Sequence, residues 1–322
     1  MEAEYEPHQE REVLRVAARP NTEFWDAVLH SKRHEHDPIR ASVSEAFASA
    51  PVSSLGSLER LPNELVSDIC AYLDISSCFR FRQVNRRARQ VVSARWEYRA
   101  VATHGLEGLR SVLRTRIASW FTISDLYRPL RQQECALCGL FSGFLFIPTM
   151  SRCCSKCVES PRAFGVVALS CLSKATKMST HRLRLLLPVF RTVPGTYGTV
   201  PRTWTRPRYG VSEEQAARLL TTLDITYASR VLHYGAPFSC ARYMVCTALP
   251  HLYRETNEVD NGYQCKGCAA HCRTTTNLTF DHVERAMMAY SRQGFLSHFQ
   301  VCEPAKELWR ASQRLLVESE LN

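Results

Sequence analysis

Two cysteine pairs, Cys135-Ala136-Leu137-Cys138-Gly139 and Cys154-Ser155-Lys156-Cys157, constrain this chain more tightly than any other feature of it. Two thiols separated by two residues reach one ion from a single tight turn, and Gly139 takes the φ values that aim backbone N–H groups at the sulfurs. Two such turns make a closed tetrahedral set, so Cys135, Cys138, Cys154 and Cys157 are expected to hold a structural zinc ion. Cys153 is the alternative to Cys154, but the two-residue gap to Cys157 favours Cys154. Between the turns, Phe141 to Pro148 has the aromatic and β-branched content of a strand, which gives a zinc-ribbon or treble-clef knuckle.

A further pair, Cys265-Lys266-Gly267-Cys268, has no second pair beside it. His271 and Cys272 are near but adjacent, and they crowd the same turn. His298 and Cys302 are four residues apart, which places them on one face of a predicted helix and favours Cys265, Cys268, His298 and Cys302 as a second zinc set. Cys240, Cys246 and His251 fall at irregular spacing and read as core residues. His30, His34 and His36 lie in a charged run and read as a solvated tail.

The chain has fourteen cysteines in 322 residues. Met1-Glu2-Ala3-Glu4 carries no charged-then-apolar leader, so thiols and metal in a reducing compartment, cytoplasm or nucleus, are expected rather than disulfides. The longest apolar runs, Leu140–Phe146 and Phe164–Leu172, fall short of the roughly eighteen residues of a membrane span, and none is predicted. The net charge is +10. Thiolate-bound zinc would lower it to about +7.

Residues 57–96 set the organisation of the rest. Leu61, Leu65, Ile69 and Leu73 recur every four residues, Val66 and Cys70 widen the stripe, and Pro62 supplies a helix start. A second segment carries Phe79, Phe81 and Val84, and a third opens at Asn85 as a cap and carries Ala88, Val91, Val92 and Trp96. Three helices in about forty residues cannot close a core alone, so the stripe asks for a partner surface. Leu61-Pro62-x-Glu64-Leu65, Ile69, Leu73-Asp74 and Val84-Asn85-Arg86-Arg87 resemble an F-box, with Ala88 where many F-boxes carry an aromatic. The resemblance implies docking on a Skp-type adaptor of a cullin-RING ubiquitin ligase through Leu61, Pro62, Leu65, Ile69, Leu73, Phe79 and Val84.

The remaining segments complete a mainly α fold with small zinc-stapled β elements, an F-box joined to a larger C-terminal domain. Residues 1–56 read as a mostly flexible N-terminal region, with a short helix over 21–30 carrying Phe24, Trp25 and Val28. Residues 57–98 form the F-box and 99–134 a helical connector, where Leu106, Leu109, Leu113 and Ile117 keep helical spacing. Ser124 opens a further helix ended near Pro129, and Ser160-Pro161 a helix into Ala175. Residues 135–318 form the zinc-stapled receptor domain. Ser212, with Gln215 three residues on, marks a helix from Val211 to Tyr227.

From Pro161 to Val211 there is no acidic residue, while arginines and lysines interleave with Tyr197, Trp204 and Tyr209. That stretch is either a solvated basic face or a surface for an anionic or single-stranded partner.

From Leu58 to about Trp309 the chain resembles fungal F-box proteins with Cys-x-x-Cys-Gly…Cys-x-x-Cys, then Pro-Gly-Thr-Tyr, and late in the chain Cys-Lys-Gly-Cys and His-x-x-x-Cys. The expected function is that of a non-catalytic substrate receptor holding a protein target near a ubiquitin-conjugating enzyme, with catalysis by proximity. A zinc-stabilised nucleic-acid-binding protein using 161–211 is the alternative. Phosphate-binding Gly loops, His-Glu-x-x-His and Gly-x-Ser-x-Gly are absent from the sequence.

Overall fold

Apolar residues at three- and four-residue spacing make helices of most of the first 130 positions, and the C-terminal remainder alternates further helices with strands of two to four residues. The structure, a computed structural model, describes residues 5–22, 24–31, 35, 37–45, 54–160, 164–225 and 240–320. It is mainly helical with small sheets, as expected. No helix among the described residues is long and apolar enough to cross a membrane.

Helices Asn63–Tyr72, Ile75–Val84 and Arg86–Ala94 succeed one another with almost no connection. The breaks are set by side-chain caps. Asp74 accepts from the Ser77 amide at 2.9 Å, and Asn85 accepts from the Ala88 amide at 2.8 Å. Pro62 stands one residue outside the first helix as its cap position, and its fixed φ suits the extended entry.

Three more helices, Trp96–His104, Leu106–Arg114 and Ile123–Leu130, carry the chain to the first cysteine turn. The last is capped by Thr122 and Asp125 reciprocally, and it ends at Leu130, one residue past Pro129, as expected.

The main core joins these parts. Cys70, Ile75, Cys78 and Val92 share one buried cluster with Tyr98, Leu109, Leu126 and Phe144 to Ile147. Strand Phe144–Phe146 lies between antiparallel strands Ser151–Cys153 and Cys246–Ala248. Cys246 and His251 are core residues, as expected, and the Cys246 sulfur stands 3.5 Å from that of Cys153.

The N-terminal segment, expected as mostly flexible, is built into the fold wherever it is described. Helix Glu10–Ala17 buries Val13 and Ala17 beside Phe295, Phe299 and Trp309, and strand Ala18–Pro20 pairs antiparallel with Tyr263–Cys265. Only two positions of that helix are buried and half of its residues are charged, which hides the stripe. The helix expected over 21–30 is a single 3-10 turn, Trp25–Ala27, because the Leu29 amide bonds to the carbonyls of Tyr243 and Cys246 instead of continuing a helix. His34 and His36 lie outside the described residues, and so do Pro161 and Arg162. After them comes strand Val166–Ala168, and the helix expected from Ser160 begins only at Leu169.

Residues 164–225 carry a smaller core of their own. Strand Tyr209–Ser212 is flanked by Val166–Ala168 and Phe190–Arg191, and helices Leu169–Thr176, Thr180–Leu186 and Glu213–Thr222 cover it with Leu172, Leu183 and Leu220. Ser212 caps the last helix by accepting from the Gln215 amide at 3.2 Å. The Gln215 side chain does not return the bond but donates to the Pro148 carbonyl at 3.0 Å, tying this unit to the main core.

Candidate functional site

Three features stand out: two clusters of ligating side chains and one exposed helix face. In the first cluster the sulfurs of Cys135, Cys138, Cys154 and Cys157 all lie within 4.8 Å of one another, with Cys138 and Cys154 at 3.6 Å. Four sulfurs about 2.3 Å from one ion stand about 3.8 Å apart, so the set fits a tetrahedral metal ion.

The sequence builds this locally. Gly139 has φ +71° and donates to the Cys135 carbonyl at 3.0 Å, which closes the first turn. Cys154 caps helix Ser155–Glu159, where its sulfur accepts from the Cys157 amide at 3.4 Å. Cys153, the alternative ligand, points away from this set and into the main core toward Cys246.

Arg152, 1% exposed, carries no signal in the sequence yet holds the knuckle to the core. It donates to the carbonyls of Leu249 at 2.7 Å and Pro250 at 3.0 Å, and to that of Ser142. Burial pushes its guanidinium down to about 10, so it stays charged at neutral pH.

In the second cluster the ligand atoms of Cys265, Cys268, His298 and Cys302 also lie within 4.8 Å of one another. The Cys268 sulfur is 3.4 Å from His298 Nε2 and 3.6 Å from the Cys302 sulfur, and Cys265 and Cys302 are 3.8 Å apart. His298 and Cys302 do not share one helix. Helix Arg292–Phe299 ends between them, and Cys302 stands at the entry of helix Glu303–Glu320. The ring of Tyr290 stacks on His298 at 4.6 Å and fixes the imidazole plane.

A side chain at Gly267 would sit 2.4 Å from the Ala305 backbone nitrogen, so only glycine lets the knuckle meet that helix. His271 stands apart, its ring 5.1 Å from that of His282, and neither it nor Cys272 joins the set.

Protons are shared inside each cluster. A hydrogen bond with Cys154 pushes Cys135 down to about 4 and pushes Cys154 up, while burial pushes Cys157 up to about 12. Bonds with Cys265 and Cys302 push Cys268 up, and bonds with Cys265 and Cys268 hold Cys302 far below the usual thiol range. Burial pulls His298 down, but its contacts with Cys265 and Cys302 outweigh that and raise it to about 9. A divalent ion at either set would displace these protons, so metal uptake would release acid.

Helix Asn63–Tyr72 divides its apolar residues between two faces. Val66 and Cys70 are buried, Cys70 in the main core, whereas Leu65 (49% exposed), Ile69 (44%) and Tyr72 (85%) face solvent, as do Leu61 (37%), Pro62 and, on the next helix, Val84. Leu73 and Phe79 turn partly inward against the core. The four-residue repeat does not separate these faces, because a stripe this wide reads as one.

The Asn63 side-chain oxygen accepts from Arg87 at 2.9 Å and Ser67 accepts from Arg95 through its carbonyl, so the exposed face is braced from behind.

The F-box domain family model matches residues 58–99. No curated protein and no solved structure matches the chain. The chain thus carries an F-box domain followed by a larger region with two Cys/His clusters that could hold metal ions.

Proposed function

We propose that this protein is the substrate receptor of a cullin-RING ubiquitin ligase, docked on a Skp-type adaptor through its F-box. The observation that carries this reading is the row Leu61, Leu65, Ile69 and Tyr72, left uncovered by the chain itself on a domain that matches the F-box model. Completing the burial of such half-exposed side chains contributes roughly 1 kcal/mol each, so a row of four is a natural anchor for a partner. Pro62 and Val84 extend the contact surface, and Leu73 and Phe79 support it from the core side.

The rest of the chain holds the target and supplies no acid, base or nucleophile; transfer of ubiquitin proceeds by proximity. Both Cys/His sets carry zinc in this reading. Each offers four protein ligands, leaving no position for water, so the ion is structural. The resemblance to fungal F-box proteins with paired knuckles supports the same reading, with action in cytoplasm or nucleus. Domain limits at 57–98 for the F-box and 135–318 for the receptor part are proposed with one change: residues 10–20 belong with the receptor part, because they pack on it.

The test is co-expression of the full chain with a Skp-type adaptor, then size exclusion and metal analysis of the same peak. Co-elution with about two zinc ions per chain, lost in Leu65→Asp without loss of zinc, is the expected result. A folded, zinc-loaded chain that never co-elutes would sink the receptor reading.

A further inference from the structure

Residues 164–212 contain no carboxylate and carry their cations on helix Thr180–Leu186 and on the stretch from Arg202 to Tyr209, which the contact of Arg184 with Tyr209 joins. Arg182, Arg184, Arg202, Arg206 and Arg208 are all exposed, and none has a carboxylate partner among the described residues. Four exposed arginines elsewhere do have such partners: Arg15 pairs with Glu12, Arg128 with Asp125, Arg218 with Glu214 and Arg310 with Glu303. The 182–208 arginines are thus uncompensated.

They are also held in place. Arg184 lies over the Tyr209 ring at 4.3 Å and Arg208 over the Trp204 ring at 4.9 Å. The Arg208 backbone is pinned on both sides, its amide to the Thr192 hydroxyl and its carbonyl to the Thr192 amide, each at 2.8 Å. Between the charges stand apolar side chains. Leu185, 68% exposed, and Leu186 come three and four residues after Arg182 on helix Thr180–Leu186, which puts all three on one side of it.

We propose that this face is the dock for the target, and that the target presents an acidic protein segment with aliphatic side chains between its carboxylates. The charge calls for an anion, and two observations choose protein over single-stranded nucleic acid. Tyr197 is buried, and the rings of Tyr209 and Trp204 are each covered by a guanidinium, so the stacking platforms a base would need are taken. The aliphatic side chains left exposed there, Leu185, Leu186 and Val200, match the apolar anchors of a peptide. The assignment rests on the receptor reading above and names the substrate class for it.

Fluorescence anisotropy with the full chain bound to its adaptor tests this. The probes are a labelled peptide of glutamate and leucine, the same peptide with serine for leucine, and a labelled oligouridine of equal charge. The glutamate–leucine peptide is expected to bind best. Arg182→Glu/Arg184→Glu/Arg206→Glu should weaken it at least tenfold, and Leu185→Ser/Leu186→Ser should remove its advantage over the serine peptide.

Arg182→Lys/Arg184→Lys/Arg206→Lys keeps the charge and should bind within a few fold of the unaltered protein, which separates loss of charge from loss of fold. Oligouridine binding tighter than the peptide, or a peptide indifferent to charge reversal, overturns the proposal. Adaptor co-elution of the charge-reversed protein should stay intact, so a failure here is distinguishable from a failure of the receptor reading.

Discussion

The two Cys/His centres use the same knuckle but are wired into the molecule differently. The first takes its ligands from 135–157, a single strand–turn unit, and its strands Phe144–Phe146 and Ser151–Cys153 belong to the main core that also backs the F-box. The second collects ligands over 265–302 and gathers segments from both ends of the sequence, with Cys265 opposite Ala18 in a strand pair and Trp309 and Val13 in one buried cluster. A local centre can fix a shape that propagates through a shared core. A non-local one staples distant segments, and its loss stays where the staple was.

The largest effect expected is removal of the first centre. A structural zinc site is worth on the order of ten kcal/mol, comparable with the whole stability of a domain. Cys135→Ser/Cys154→Ser should therefore unfold the knuckle and the main core it belongs to, with amide exchange rising across 98–130 as well as at the knuckle and less at 263–310. Cys265→Ser/Cys302→Ser should instead expose 10–20 and 263–310 while 98–130 keeps its protection. Equal loss of protection in both halves by either variant would dissolve the distinction.

Arg152→Leu comes next. It strands the carbonyls of Leu249, Pro250 and Ser142 and should cost about 2–4 kcal/mol by denaturant titration, with metal binding at the second centre unchanged.

Smaller again is Gly267→Ala, where a methyl group meets the Ala305 backbone; about 1–3 kcal/mol is expected, together with weaker metal retention at the second centre against a chelator. Gly139→Ala should cost least, about 1–2 kcal/mol, because its φ is left-handed but nothing lies within 4 Å of the new methyl. If Gly139→Ala proved costlier than Gly267→Ala, backbone strain rather than close packing would govern these turns.

Legibility in the sequence obeys the same division between local and distant. Caps at Asn85 and Ser212, the Gly139 turn and the strand between the first cysteine turns all depend on residues a few positions apart, and they stand in the structure. The inward role of Val66 and Cys70 against the outward one of Leu65 and Ile69 is hidden, since periodicity shows apolar residues without showing what covers them.

The place of 10–20 is hidden too. Its pairing partner lies about 245 positions away, and no local pattern encodes such a register. Spacing alone groups His298 and Cys302 on one helix, yet that helix stops between them; their proximity survives because the chain turns straight into the next helix. Arg152 is invisible for the same reason as Ala18: its three acceptors are set by tertiary folding.

The strand pair between Ala18–Pro20 and Tyr263–Cys265 carries a consequence in time. On a ribosome adding about 5–20 residues per second, Cys302 comes after Ala94 by roughly ten to forty seconds. Through most of that interval the F-box segment has been made, while Val13 and Ala17 have no Phe295 or Trp309 to cover them. An adaptor could therefore claim the nascent F-box well before the receptor part closes, and the first residues made would be among the last to find their place.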